Sequence, residues 1–185
     1  ILEAAARWGT VVHPLAIATG GALTDVADAY LLDPSLADRA VVVASLGRSD
    51  GDKATTLDPN GDRDLWATRI VTSRLRYVQV NGYYDQMLDV PEERVPELPS
   101  NPFGQWMADK RPDILDLGHA CDQISVLAVG LPWFATDVVR MRADETEPTT
   151  LAPDDTGAVW HVGQGESERV RELLWSVLKD PLSFP

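Results

Sequence analysis

Short apolar runs that alternate with helix-like segments are the feature that most limits how this chain can fold. The first three runs, at residues 11–18, 40–47 and 76–83, are predicted strands. The run at 40–47 is apolar almost throughout, which is typical of a strand buried on both faces of a parallel sheet. Helices are predicted between the runs, at 23–32, 34–37 and 64–74. The alternation predicts an α/β domain with an open, mainly parallel, doubly wound (Rossmann-like) sheet.

The remaining sequence carries weaker signals. A polar stretch at 48–63 has no periodicity, and Asp64 is placed to cap the helix that follows it. Residues 85–116 are rich in Pro and charge, with one helix predicted around 103–109. The pattern then predicts a buried helix at 121–131, a pair of edge strands at 137–143 and 157–163, and an amphipathic helix at 166–180. Three tryptophans fall on predicted elements and are expected in the core: Trp66, Trp160 and Trp175.

Composition excludes several classes of function. The 185 residues suit one domain, predicted to span residues 1–185. A formal net charge of −13 argues against nucleic-acid binding, which depends on Lys and Arg. No apolar run approaches the ~20 residues that cross a bilayer, so no membrane partner is expected. The single Cys121 allows no internal disulfide and no cysteine-based zinc cluster, and a cytoplasmic location is predicted.

The chain begins inside a helical pattern, ILEAAARWG, without an initiator Met. Ile1, Leu2, Ala5 and Trp8 fall on one helical face. We therefore expect the chain to be the later part of a longer polypeptide. Its predicted partners are an N-terminal fragment or a separate chain that completes the fold, and an oligomeric assembly is expected because an incomplete sheet exposes an unpaired edge.

Candidate binding residues lie where strands end, because ligands of open parallel sheets bind at the carboxyl ends of the strands. This rule selects residues 19–25, 46–60 and 81–85. The turn after the first strand, TGGALTD, is not a Walker loop because it lacks the Lys-Ser/Thr ending. It could hold a phosphate or a metal ion, or serve only as a tight turn of small residues.

Several motifs occur together in a fixed order. They are GALTD at 21–25, Asp33-Pro34, ASLG at 44–47, Gly51-Asp52, DPN at 58–60 and CDQISV at 121–126. This order resembles that of the nucleoside hydrolase (inosine–uridine-preferring) family, which has G-P-L-T-N, D-P, Met-Gly-Gly, G-N, E-F-N and H-D-P-x-A-V at these places. The resemblance extends over nearly all of the chain. The family's opening D-x-D-x-x-x-D-D signature does not occur in these residues.

The resemblance implies calcium-dependent hydrolysis of the N-glycosidic bond of a ribonucleoside or a related N-riboside. It places Ca²⁺ on the Gly20 carbonyl and the Asp122 carboxylate, which suits the oxygen ligands that calcium prefers. The general base is expected outside this chain. Substrate contacts are implied for Asp52, Asp58, Asn60 and Cys121, since cleavage through an oxocarbenium-like state needs nearby carboxylates and firm hydrogen bonds to the sugar.

Three departures from the family leave a second hypothesis open. Asp52 stands where the family has Asn, Asp58 is one methylene shorter than the family's Glu, and Cys121 replaces a His. A nucleoside-hydrolase-like protein that has lost catalysis and serves as a binding or assembly module fits these changes. The sequence DPNG at 58–61 is also a strong turn signal in its own right. His161 is placed in a strand, with no functional role predicted for it.

Overall fold

The structure is a computed structural model that describes residues 1–50, 53–80, 92–110, 123–144, 147, 149–165 and 167–180. Within these described residues, eight strands form a single sheet. They are β1 (Leu15–Thr19), β2 (Ala40–Ser45), β3 (Arg48–Asp50), β4 (Lys53–Thr55), β5 (Arg76–Val80), β6 (Ala135–Ala143), β7 (Thr150–Pro153) and β8 (Val159–Gly165). The described residues also form seven α-helices: α1 (Leu2–Trp8), α2 (Thr24–Leu32), α3 (Leu36–Arg39), α4 (Leu65–Arg74), α5 (Pro102–Lys110), α6 (Gln123–Gly130) and α7 (Ser167–Lys179).

The sheet has a parallel part and an antiparallel part, in the order β1-β2-β5-β8-β6-β7-β4-β3. Strands β1, β2, β5 and β8 are mutually parallel. The other four pair antiparallel with their neighbours. This open α/β sheet confirms the predicted fold class. The prediction that 137–143 and 157–163 are edge strands is wrong, because β6 and β8 lie inside the sheet and the edges are β1 and β3.

The core lies on the face of the sheet that β2 fills with small and β-branched side chains. Ala40, Val42 and Ala44 are fully buried on alternate positions of this strand. Val42 lies in register with Tyr77 of β5, and Tyr77 lies in register with Val159 of β8. Helices α2 and α4 add buried apolar residues to the same cluster. Burial of this continuous apolar surface, at about 25 cal/mol per Å², is the main force that joins these helices to the sheet.

Two strands are shorter at one end than the apolar runs that predicted them. The first was predicted from residue 11 but starts at Leu15, and Val11 and Val12 are exposed. Pro14, immediately before it, has no N–H to donate to a ladder. The second was predicted to reach residue 47 but ends at Ser45. Gly47 has a φ of 75°, a conformation that L side chains rarely adopt, and it turns the chain from β2 towards β3.

The tryptophan predictions are confirmed for one residue and wrong for two. Trp175 is 3% exposed, as a core residue should be. Trp66 is 74% exposed on α4, whose buried side carries Ala67 and Val71 instead. Trp160 is 44% exposed because it alternates on β8 with the buried Val159 and His161.

Residue contacts divide the chain into two compact units. The first comprises Ile1–Tyr83 and Asp122–Gly165 and contains the whole sheet. The second comprises Tyr84–Cys121 and Glu166–Pro185, with α5 and α7. The prediction of a single domain over 1–185 stays a prediction. Among the described residues no helix combines the length and the apolar character needed to cross a membrane.

The second unit is organised around the carboxylate of Glu97. It accepts hydrogen bonds from Trp175 Nε1 at 3.0 Å, Lys179 Nζ at 3.0 Å and Arg94 Nε at 3.2 Å. These donors, the indole first, lower the pKa of Glu97 to about 2. The Arg94 guanidinium also lies 4.5 Å from the centre of the Trp175 ring. Glu97 thus joins the helical turn Glu92–Glu97 to α7 within this unit.

Candidate functional site

The carboxyl ends of β1 and β2 are bridged by one side chain, Asn60. Its Nδ2 donates to the Gly20 carbonyl at 3.3 Å and to the Ser45 carbonyl at 3.4 Å. Gly20 follows the last residue of β1, and Ser45 is the last residue of β2. Both bonds are long for N–H···O contacts, so each is weak alone. Together they hold the ends of two neighbouring parallel strands at the place where such sheets bind ligands.

Asp58 builds the turn that presents Asn60. Its Oδ1 accepts from the backbone N–H of Asn60 at 3.0 Å and of Gly61 at 2.7 Å. This is the Asx-type turn in which an Asp side chain replaces a backbone acceptor. A Cβ on Gly61 would lie 1.9 Å from the Thr56 carbonyl oxygen, so this close approach requires glycine. The backbone at residues 58–61 is therefore a turn, as the sequence DPNG also predicted.

Asp64 joins the beginnings of two helices near this turn. Its Oδ1 accepts from the Ala67 N–H at 3.0 Å and caps α4, which confirms the predicted cap. Its Oδ2 accepts from the Thr24 hydroxyl at 2.8 Å, at the start of α2. The bond from the Ala67 N–H, followed by that from Thr24, lowers the pKa of Asp64. The cap was visible in the sequence, but the Thr24 contact, between residues 40 apart, had no local signal.

The structure brings together three of the six residues predicted for the site. Gly20, Asp58 and Asn60 lie in one cluster, which we call the strand-end cluster together with Ser45, Thr24 and Asp64. Asp52, Cys121 and Asp122 lie outside the described residues, and the substrate and metal roles of all six stay predictions. Within the described ranges, no three His, Cys, Asp or Glu residues form a group able to hold a metal ion.

One described oxygen atom, the carbonyl oxygen of Gly20, has the chemistry of a calcium ligand. A carbonyl oxygen is a hard ligand of the kind calcium prefers, and the Gly20 carbonyl is such an oxygen. It accepts one long hydrogen bond from Asn60, and a carbonyl has two lone pairs, so one remains for a cation. Gly20 is also exposed. This single oxygen is compatible with a calcium site and needs further ligands to complete one.

Comparison with known proteins identifies the fold. No protein-family model and no curated protein matches the sequence. Among solved structures, the purine-preferring ribonucleoside hydrolase from Gardnerella vaginalis is similar with a TM-score of 0.71 at 15% identity, over 96% of this chain and 63% of that one. The inosine-uridine preferring nucleoside hydrolase from Bacillus anthracis is similar with a TM-score of 0.71 at 14% identity, over the same shares of the two chains.

A plant nucleoside hydrolase shows the same likeness, with a TM-score of 0.68 at 16% identity, over 97% of this chain and 65% of that one. The chain therefore spans less than two thirds of the length of these solved structures. The resemblance seen in the motifs is matched by the fold, which is nucleoside-hydrolase-like.

Proposed function

We propose that this chain contributes the sugar- and metal-contacting part of a calcium-dependent hydrolase that cleaves the N-glycosidic bond of ribonucleosides or a related N-riboside. The observation that supports it is the grouping of Gly20, Asp58 and Asn60 at the carboxyl ends of β1 and β2, in a fold that matches nucleoside hydrolases over 96% of the chain. The general base comes from a segment outside these 185 residues. A cytoplasmic location belongs to the same proposal.

In this proposal Gly20 and Asp122 hold the calcium ion, Gly20 through its carbonyl and Asp122 through its carboxylate. A bound Ca²⁺ supplies a water of lowered pKa and a template that orients it and the sugar hydroxyls. The Asn60 amide keeps the Gly20 carbonyl in place by its bond at 3.3 Å. Because that bond uses Nδ2, the Asn60 Oδ1 remains the acceptor for a hydroxyl of the sugar.

Asp58 supplies negative charge next to the sugar. Its Oδ1 is used by the turn, and Oδ2 accepts no hydrogen bond from any residue in the described part of the chain. A carboxylate near the ribose ring stabilises the positive charge that develops as the glycosidic bond breaks. Asp52 and Cys121, at the family's Asn and His positions, complete the proposed substrate contacts.

A partner strand is part of the proposal. β1 is an edge strand that pairs, among the described strands, only with β2. An unpaired parallel edge invites another strand. We infer that an N-terminal fragment or a partner chain pairs there and brings the general base, and that the assembled protein is an oligomer.

A second candidate function is a binding or assembly module without catalysis. It is favoured by the same contacts that build the cluster, because Asp58 and Asn60 are both engaged with backbone groups. In that case the two side chains hold the loop and have no role in a reaction.

Calcium binding tests the metal assignment. With the completing segment present, Ca²⁺ should raise Tm by mass action, because it binds only the folded site. Asp122→Ala should abolish this rise while far-ultraviolet circular dichroism stays unchanged. A full calcium response in the variant would remove Asp122 from the metal site.

Hydrolysis by Asp58→Asn separates the two candidate functions. The amide oxygen of Asn can still accept from the Asn60 and Gly61 N–H groups, so the turn and the stability should persist. Loss of the charge should lower kcat/KM for a ribonucleoside by about 10²-fold, or about 2.7 kcal/mol. Asp62→Asn, an exposed carboxylate in the same loop, is the matched control. Equal, measurable rates for wild type and Asp58→Asn would leave Asp58 with its turn role alone. No hydrolysis by either protein would support the non-catalytic module.

A further inference from the structure

The antiparallel part of the sheet contains a cavity that the proposed hydrolase site does not use. Its volume is about 240 Å³. The residues that line it come from β3, β4, β6, β7 and β8, among them Ser49, Lys53, Asp137, Val139, Met141 and His161. The volume is below the ~300–1,000 Å³ of pockets that take drug-sized ligands, so any ligand must be small.

The lining of the cavity includes one buried imidazole, that of His161. His161 is 2% exposed, and its Nε2 lies 3.0 Å from the Ser49 Oγ. Burial lowers the pKa of His161, so the ring is neutral at pH 7. Its Nδ1 is buried without a hydrogen-bond partner in the described part of the chain. A buried polar atom without a partner is costly, and a bound molecule or water usually supplies one.

Two opposite charges line the same cavity without pairing. Lys53 and Asp137 are both exposed, and neither takes part in an ion pair with a described residue. The carboxylate of Asp137 still acts on its surroundings, since it raises the pKa of His161 against the effect of burial. The cavity therefore offers one ammonium donor, one carboxylate acceptor and an apolar wall of Val139 and Met141.

We propose that this cavity binds a small zwitterion, namely a free α-amino acid with a short apolar side chain. Its ammonium group bonds the Asp137 carboxylate, and its carboxylate bonds the Lys53 ammonium. Such charge-assisted bonds are about twice as strong as neutral ones. A simple anion would face Asp137 and a simple cation would face Lys53, whereas a zwitterion satisfies both residues. The short side chain packs on Val139 and Met141.

Titration calorimetry on the whole chain tests this proposal, with L-alanine and L-valine as probes. Acetate and methylammonium, which each carry one of the two charges, are the comparison ligands at equal ionic strength. We expect the amino acids to bind at least tenfold more tightly than either comparison ligand. Equal affinity for all four, or heat no different from dilution for the amino acids, would overturn the proposal.

Variants locate the binding. Asp137→Asn and Lys53→Met should each weaken L-alanine binding at least tenfold, while Asp62→Asn, which changes an exposed carboxylate that does not line the cavity, should leave it unchanged. Circular dichroism checks that each variant folds. Unchanged binding in both cavity variants would place the amino acid elsewhere and overturn the assignment. Ribonucleoside hydrolysis by the reconstituted protein should be the same in Asp137→Asn as in the wild type, because Asp137 lies on β6, outside the segments proposed for the hydrolase site. The outcome for this variant is therefore independent of the proposed function.

Discussion

The two polar regions of the sheet unit satisfy their polar groups in opposite ways. In the strand-end cluster the side chains bond to each other or to nearby backbone: Asp58 to two N–H groups, Asn60 to two carbonyls, and Asp64 to Thr24 and Ala67. In the cavity, Lys53 and Asp137 face the same space without forming an ion pair with any described residue, and the Nδ1 of His161 has no described partner.

Because of this difference, we expect substitutions in the first region to change the stability of the fold and substitutions in the second to change ligand binding. A satisfied hydrogen bond contributes about 1 kcal/mol net, whereas a buried polar group without a partner costs free energy until something binds it. Substitutions that remove a donor or an acceptor from the strand-end cluster should therefore lower the free energy of unfolding even without ligand. Substitutions of the cavity charges should change ligand binding or the pKa of His161 and leave stability nearly constant.

The largest expected effect lies at Gly47, which connects the two regions by leading from β2 to β3. A Cβ there would lie 2.2 Å from the Thr55 carbonyl oxygen and 2.4 Å from Gln79 Nε2, and φ is 75°. Gly47→Ala should lower the free energy of unfolding by about 3 kcal/mol, measured by urea denaturation. Gly21→Ala is the matched control, because nothing lies within 4 Å of its added Cβ. A similar, small loss in both variants would contradict the strain assigned to Gly47.

The next largest loss of stability is expected on substitution of Asp64 in the strand-end cluster. Asp64→Ala removes the cap of α4 and should cost about 1 kcal/mol. Thr24→Val tests the other bond of Asp64, and a double-mutant cycle in Tm or urea midpoint measures their coupling. Because the folded state lowers the pKa of Asp64, its contribution is present above the unfolded pKa of about 3.9 and is lost as pH falls towards the folded value. Additive losses in the cycle would show that the Thr24 bond contributes nothing.

The sequence predicted those parts of the fold that depend on local signals. The apolar run of β2, the helices α2 and α4 and the cap at Asp64 are each specified within about ten residues. β4 and β7 were not predicted, because such short stretches become strands only by pairing with neighbouring strands: β4 with β3, β7 with β6, and the two with each other at Ala54 and Leu151. The wrong burial of Trp66 has a similar cause, since helical periodicity does not say which side of a helix meets the sheet.

The site was predictable to a similar degree. The rule that ligands bind at strand ends selected residues 19–25 and 46–60, and the resemblance implied Gly20, Asp58 and Asn60 within them. The structure places these three residues together. The sequence did not show that Asn60 would reach back to the Gly20 and Ser45 carbonyls. It also gave no sign that His161 meets Ser49, because 112 residues separate them and the contact exists only after the antiparallel strands have paired.

The smallest expected effect is a change in the pKa of His161, and it tests whether the Asp137 carboxylate acts on the buried ring. Burial lowers the pKa of His161, and the Asp137 carboxylate partly opposes this. Asp137→Asn should therefore lower the pKa of His161 further, measured from its imidazole NMR signals.

Since the folded pKa lies below the ordinary value of about 6.5, the contribution of neutral His161 to stability is present above that pH and is lost as pH falls towards the folded value. In the variant this loss should extend to lower pH, and Asp62→Asn should leave the titration unchanged. A pKa of His161 that stays constant or rises in Asp137→Asn would show that the carboxylate does not act on the ring, and would remove Asp137 from the charged lining of the cavity.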